Sequence, residues 1–248
     1  MTIEVPAMLT PARTEPNEAA NFRCVSDNVA FVMLSEVLRA RSFELTEQLR
    51  RPSPDLVVAR RLALNMHLST DNLVQDAGLV SRANDRSLYE NPTNEPASLS
   101  SVIDLCCIAA RHRLREVNVG LNIVQPPTNE IFLSGNPWEL AYVFFYAIVR
   151  SGKCLAKMPT AEGESREIHV SVRYEAQFAD VSVSSPVPLS PCSENFNSAS
   201  ALCEAEWHCL QQLSIKNDVH VSVQQGEPTL SATFSTVFRL ATFTAGHE

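Results

Sequence analysis

The chain has 248 residues, 45% of them hydrophobic, and a formal net charge of -8 with a pI near 5.3. That is length for one large or two small domains and apolar content for a true core. The acidic balance argues against a nucleic-acid binder, which presents a basic face, and the longest apolar run, Leu140 to Val149, is only about half a membrane span before it ends at Arg150.

Seven cysteines are present, at 24, 106, 107, 154, 192, 203 and 209, an odd number with no C-x-x-C pair. They read as free thiols of a reducing cytosol rather than a disulfide framework or a zinc site. No charged-then-apolar leader opens the chain, so the expected location is the cytoplasm, with neither nucleic acid nor membrane among its partners. Glycine is scarce, seven in all, and none lies between Gly163 and Gly226. A loop that cradles phosphate needs glycine for close approach, so that interval is a poor nucleotide site.

Residues 1–20 hold three prolines and read as a mobile leader. From Asn21 the pattern turns helical, with Phe31, Leu34, Leu38, Leu45 and Leu49 in one stripe that Ser42 interrupts. Pro52 and Pro54 stop this helix, and Ser53 is placed to cap the next. The second helix is expected over 55–83, with its stripe at Leu62, Met66, Leu73, Ala77 and Val80. The two helices make an antiparallel hairpin, residues 21–84, that cannot cover both of its apolar faces alone. A homodimeric four-helix bundle follows. Residues 85–97, with Pro92 and Pro96, read as a linker.

A helix over 101–117 comes next, with Ser101 and Asp104 at capping-box-like spacing. The period then changes to two at Val119–Ile123, Ile168–Tyr174, Val181–Val183, Val219–Val223 and Leu230–Phe234, which predicts strands. Gly226-Glu227-Pro228 marks a final hairpin. Two helices interrupt the strands. One is Gly135 to Lys153, with Asn136 as N-cap, Pro137 at the first turn and Glu139 as a capping-box carboxylate. The other spans 198–215. Residues 98–248 are therefore expected to form an α+β sandwich, with helices covering one face of a mixed sheet.

This order resembles the dimerisation and ATP-binding domains of two-component sensor histidine kinases, over residues 21–241. The local match is strongest at Gly135-Asn136-Pro137, Leu140, Val143 and Lys153, where the family pattern reads G-D-P-x-x-L-x-x-V-L-x-N-L-L-x-N-A-x-K. The resemblance implies that its two asparagines hold Mg²⁺ and phosphate; here those places are Tyr146 and Arg150. A phenol is a poor Mg²⁺ ligand and a guanidinium none. The family's D-x-G-x-G motif becomes Ser185, Val187 and Leu189, with Pro186, Pro188 and Pro191 among them. Its glycine-rich final motif falls near Ser200 to Ala205 and has no glycine, and Glu204 and Glu206 put negative charge where phosphate would lie. The expectation is a sandwich that keeps its shape, has lost ATP binding and carries no cofactor.

The phosphoacceptor histidine that the resemblance implies falls at Ser35-Glu36, and no histidine occurs before His67. Bacterial histidine phosphotransferases, dimers with an ATP-incompetent second domain, are similar in kind but keep that histidine. His67, on the second hairpin helix, comes level with Glu36 and is the alternative acceptor. Weighed against it is an ordinary exposed helix histidine. Arg39, Arg41, Arg50, Arg51, Arg60 and Arg61 make the hairpin locally basic, either for an acidic partner or as a solvated face. The leading reading is a non-enzymatic adaptor or inhibitor that binds a response-regulator receiver domain or a sensor kinase through Ser35, Glu36, Arg39, Arg41 and His67. The alternatives are a phosphotransferase relaying through His67 and a purely structural dimerisation module.

Overall fold

The structure, a computed structural model, describes residues 16–68, 97–123, 131–133, 136–159, 166–175, 178–190, 200–226 and 234–243. The expected leader up to residue 15, the linker at 85–96 and the stripe residues Leu73, Ala77 and Val80 lie outside them.

Helix α1 runs Pro16–Arg50 and starts four residues inside the expected leader. Pro16 suits a first turn, and Asn17-Glu18-Ala19-Ala20 carry no breaker. After a turn at 51–55, α2 covers 56–68. Its N-cap is Asp55, not Ser53: the Asp55 carboxylate accepts from the Val57 and Val58 amides at 2.9 and 3.1 Å. Arg41 Nη1 donates to the Asn65 carbonyl at 3.1 Å and ties the two helices together.

The remainder is an α+β sandwich. Its elements are β1 (Ala97–Ser98), α3 (Leu99–Arg115), β2 (Gly120–Ile123), β3 (Phe132–Leu133), α4 (Pro137–Leu155), β4 (Glu167–Glu175), β5 (Phe178–Ser185), α5 (Glu204–Lys216), β6 (Val219–Gln225) and β7 (Phe234–Phe243). The sheet is mixed, in the order β1-β3-β7-β5-β4-β2, with β6 also on β7. Among the described residues, β2 and β4 pair in parallel and the other pairings are antiparallel. The period-two runs at Val119–Ile123, Ile168–Tyr174, Val181–Val183 and Val219–Val223 emerge as β2, β4, β5 and β6. The run expected over Leu230–Phe234 lies outside the described residues except for Phe234, which opens β7. Alternation puts Ile168, Val170 and Val172 of β4 and Ala179, Val181 and Val183 of β5 inward.

Helix α3 begins at Leu99, two residues before the expected cap, and Ser98 makes no side-chain cap bond. Leu99, Val102, Ile103, Cys106 and Leu114 are all buried, so the core-facing stripe, rather than the Ser101–Asp104 spacing, decides where the helix starts. Helix α4 crosses it closely. A methyl group at Gly152 would come within 2.1 Å of Leu114 Cδ2, so any larger residue there makes the buried Leu114 side chain shift.

The first helix is not set apart from the sandwich. Val29, Met33 and Val37 are buried and belong to the same core as Leu99, Val102, Ala109 and Phe144. α1 thus lies as an outer layer on α3 and α4. The opposite face of α1 keeps Phe31 and Leu49 more than half exposed, at 56% and 53%, with Leu38 and Leu45 half-buried between them. These belong to the stripe read from the sequence, and the sandwich leaves them uncovered.

Candidate functional site

Two places bear on function: the hairpin flank and the cleft between α4 and α5.

On the flank, the residues expected to meet a partner are divided. Ser35 is exposed and its hydroxyl donates back to the Val32 carbonyl at 2.8 Å. Glu36 faces the other way. It is buried, and both its carboxylate oxygens accept from Arg113 of α3, from Nε at 2.7 Å and Nη2 at 2.5 Å. Such a bidentate pair compensates a carboxylate withdrawn from water. Hydrogen bonding to Glu36 is the leading cause that raises the Arg113 pKa, against the opposing effect of burial. Beside it, Phe43 packs on His112 with ring centroids 5.2 Å apart. Arg39 is exposed and 3.7 Å from Glu36.

Arg41 is half-buried in the hairpin seam, and that burial lowers its pKa despite the neighbouring Glu44. His67 is exposed on α2. The Arg41–Asn65 bond brings His67 close to the height of Arg39, within one turn of Glu36. Ser35, Arg39 and His67 therefore point outward, whereas Glu36 and Arg41 are spent on holding α1 in place.

The cleft shows what became of the positions that the resemblance assigns to nucleotide contact. Asn136 caps α4, its side chain accepting from the Trp138 and Glu139 amides at 2.9 and 3.3 Å. Glu139 does not close a capping box. It reaches the far end of α5, where it accepts from Lys216 Nζ at 2.6 Å and Asn217 Nδ2 at 2.8 Å. The Asn136 amide donates to Asn217 Oδ1 at 3.0 Å instead. One end of the cleft is thus tied shut.

The other end is closed by Arg150, Glu206 and Tyr146. Arg150 Nη2 donates to both Glu206 oxygens, at 2.5 and 2.6 Å, and the Tyr146 hydroxyl donates to Oε1 at 2.9 Å. Glu206 Oε2 also accepts from the Cys203 amide at 3.1 Å and so forms, with the Cys203 side chain, the capping box of α5. Burial alone would raise the Glu206 pKa; the Cys203 amide, Arg150 and Tyr146 together outweigh it and hold the carboxyl below its usual range. Burial, and next the bond to Glu206, pushes the Tyr146 phenol well up. Tyr146 also stacks on Tyr142.

Val187, Leu189 and Leu202 are buried, and Ser185 Oγ accepts from the Val187 amide at 3.1 Å. The Ala201 amide donates to the Pro188 carbonyl at 2.8 Å and Ser200 Oγ to the Leu189 carbonyl at 3.1 Å, pinning the two loops together. Arg150 and Tyr146 are thus bonded to one of the chain's own carboxylates, while Arg150 Nε is buried without a hydrogen-bond partner among the described residues. Among the described residues no group of three His, Cys, Asp or Glu side chains is placed to hold a metal ion.

No family model and no curated protein matches the chain. Solved structures do. The mycobacterial sensor histidine kinase MprB is 14% identical, with a TM-score of 0.46 over 61% of this chain and 100% of that one. The ATP-binding domain of PrrB from Mycobacterium tuberculosis is 15% identical, with a TM-score of 0.42 over 60% and 97%. The histidine kinase domain of the E. coli osmosensor EnvZ is 14% identical, with a TM-score of 0.41 over 64% and 96%. The chain is similar to these kinases in the outline of its fold; at such identities the likeness does not extend to residue roles.

Proposed function

We propose that the chain is a non-enzymatic signalling adaptor or inhibitor of histidine-pseudokinase type, which docks a response-regulator receiver domain or a sensor kinase on its hairpin. The observation that carries this reading is the Arg150–Glu206–Tyr146 cluster. At the two positions where the kinase pattern has asparagines, the chain has a guanidinium and a phenol, and both are committed to one of its own carboxylates. A phenol is a poor Mg²⁺ ligand and a guanidinium none, so in this reading the adaptor works without a cofactor.

Shape and charge on the hairpin then do the work. Ser35, Arg39 and His67 are exposed, and the stripe of exposed Phe31 and Leu49 with half-buried Leu38 and Leu45 suits a second copy in a cytoplasmic homodimer. Binding of purified receiver domains to the immobilised full chain tests the adaptor directly. Arg39→Glu should weaken capture, more visibly at low salt, because exposed charges are screened. A chain that captures no receiver or kinase from its native cytoplasm does not fit this function.

One observation favours the phosphotransferase reading: the His67 imidazole is exposed and lies near the height where an acceptor is wanted. Against it, Glu36, the acid at the position the family pattern assigns beside its acceptor, is held by Arg113.

A further inference from the structure

Helix α2 carries an apolar face that neither α1 nor the sandwich covers. Its inward side is Ala59 and Leu62, both buried, with Val58, Asn65 and Met66 half-buried beside them. Its outward side shows Leu56, Val57, Leu64 and Leu68 at 70%, 79%, 55% and 52% exposure. Val57, Leu64 and Leu68 stand seven and eleven residues apart, which places them in one row along the helix. Arg60 and Arg61 are exposed next to that row, and residues 56–68 contain no aspartate or glutamate. The preceding turn adds Arg50 and Arg51. Over 50–68, four arginines against Asp55 give +3, so the rest of the chain, at -8 in total, carries -11.

We propose that this face of the hairpin docks on an anionic lipid surface. An amphipathic helix lies in the membrane interface when its aliphatic row sinks to the acyl boundary and flanking arginines, their stems along the apolar surface, reach lipid phosphates. Val57, Leu64 and Leu68 supply the row; Arg60, Arg61 and Arg51 supply the charge, since Arg50 is paired with Glu47 at 3.2 Å. The strongly acidic remainder is repelled by the same surface, so the molecule is oriented with its hairpin tip toward the lipid.

A second copy is the poorer occupant, because a two-fold contact centred here sets Arg60 and Arg61 against their own copies. The sequence reading omitted membranes because no run could span one, and no helix among the described residues is long and apolar enough to cross. An interfacial face needs no span.

Sedimentation of the full chain with vesicles tests the proposal. The protein should pellet with phosphatidylcholine vesicles containing phosphatidylglycerol, be released as salt rises, and stay in solution with phosphatidylcholine alone. Each arginine near an anionic surface strengthens binding roughly fivefold, so Arg60→Glu with Arg61→Glu should weaken it by at least about tenfold. Val57→Ser with Leu64→Ser should do the same while leaving the thermal unfolding curve in place, because both side chains are exposed. Wild type that ignores both vesicle types, or either double variant pelleting like wild type, overturns the proposal. So does loss of receiver capture by the arginine variant when the wild type ignores vesicles, which assigns the face to a protein.

Discussion

The guanidinium of Arg150 grips both oxygens of the Glu206 carboxylate, across 56 residues of sequence, and so ties α4 to the first turn of α5. Glu206 also caps α5 through the Cys203 amide, so one side chain closes the cleft and fixes the helix behind it.

That double role gives a pH dependence of known sign. The Glu206 carboxyl is held below its ordinary value of 4.5, so the bound carboxylate contributes stability that is fully present above that value and is lost as pH falls through the folded value. Urea midpoints should be level at neutral pH and drop below about pH 4.5. Glu206→Gln should lower the midpoint at neutral pH, by about 1–3 kcal/mol, and flatten the acid limb. Asp180, whose pKa is lowered chiefly by its bidentate bond to Arg239, keeps part of the acid slope in the variant.

Glu36 predicts a different outcome from its exposed neighbour. Glu36→Ala leaves Arg113 without the partner that compensates its burial and should destabilise the chain by about 2–4 kcal/mol in chemical denaturation. Arg39→Glu, at a side chain 56% exposed, should shift stability by less than about 0.5 kcal/mol. The two effects together separate a residue that locks α1 onto the sandwich from one that faces a partner.

The uncovered stripe of α1 predicts dimerisation. Leu38→Glu with Leu45→Glu places charge where a second copy would pack, and light scattering should then report a monomer of unchanged helicity. A wild-type chain that is monomeric at micromolar concentration contradicts the bundle.

Much of the fold was legible. Strand alternation marked β2, β4, β5 and β6, and Asn136-Pro137 marked the start of α4, because cap chemistry and burial period are local properties. What escaped were bonds between residues far apart in sequence. Glu139 was read as a local capping carboxylate but is taken by Lys216 and Asn217, which no spacing rule connects to it. Glu36 was read as a docking residue because the resemblance puts the phosphoacceptor position at Ser35-Glu36, whereas its carboxylate is held by Arg113, 77 residues away. The cleft was half legible: Arg150 in place of an asparagine and Glu206 in place of a glycine-rich motif were both visible. Their opposite charges were the available signal that each compensates the other.

His67 separates adaptor from relay. In the adaptor, His67→Ala leaves receiver binding within about twofold of wild type, because the flank needs shape and charge but no imidazole chemistry. In the relay, a phosphorylated receiver passes an acid-labile, base-stable label to the wild type and not to His67→Ala. Retained binding without label transfer is the expected result.

Calorimetric titration of the purified full chain with Mg-ATP tests the central claim most directly. With Arg150 and Tyr146 both bonded to Glu206, and no amide side chain at either position to ligate Mg²⁺, the account predicts no saturable heat. A saturable isotherm with a dissociation constant in the micromolar range would contradict it.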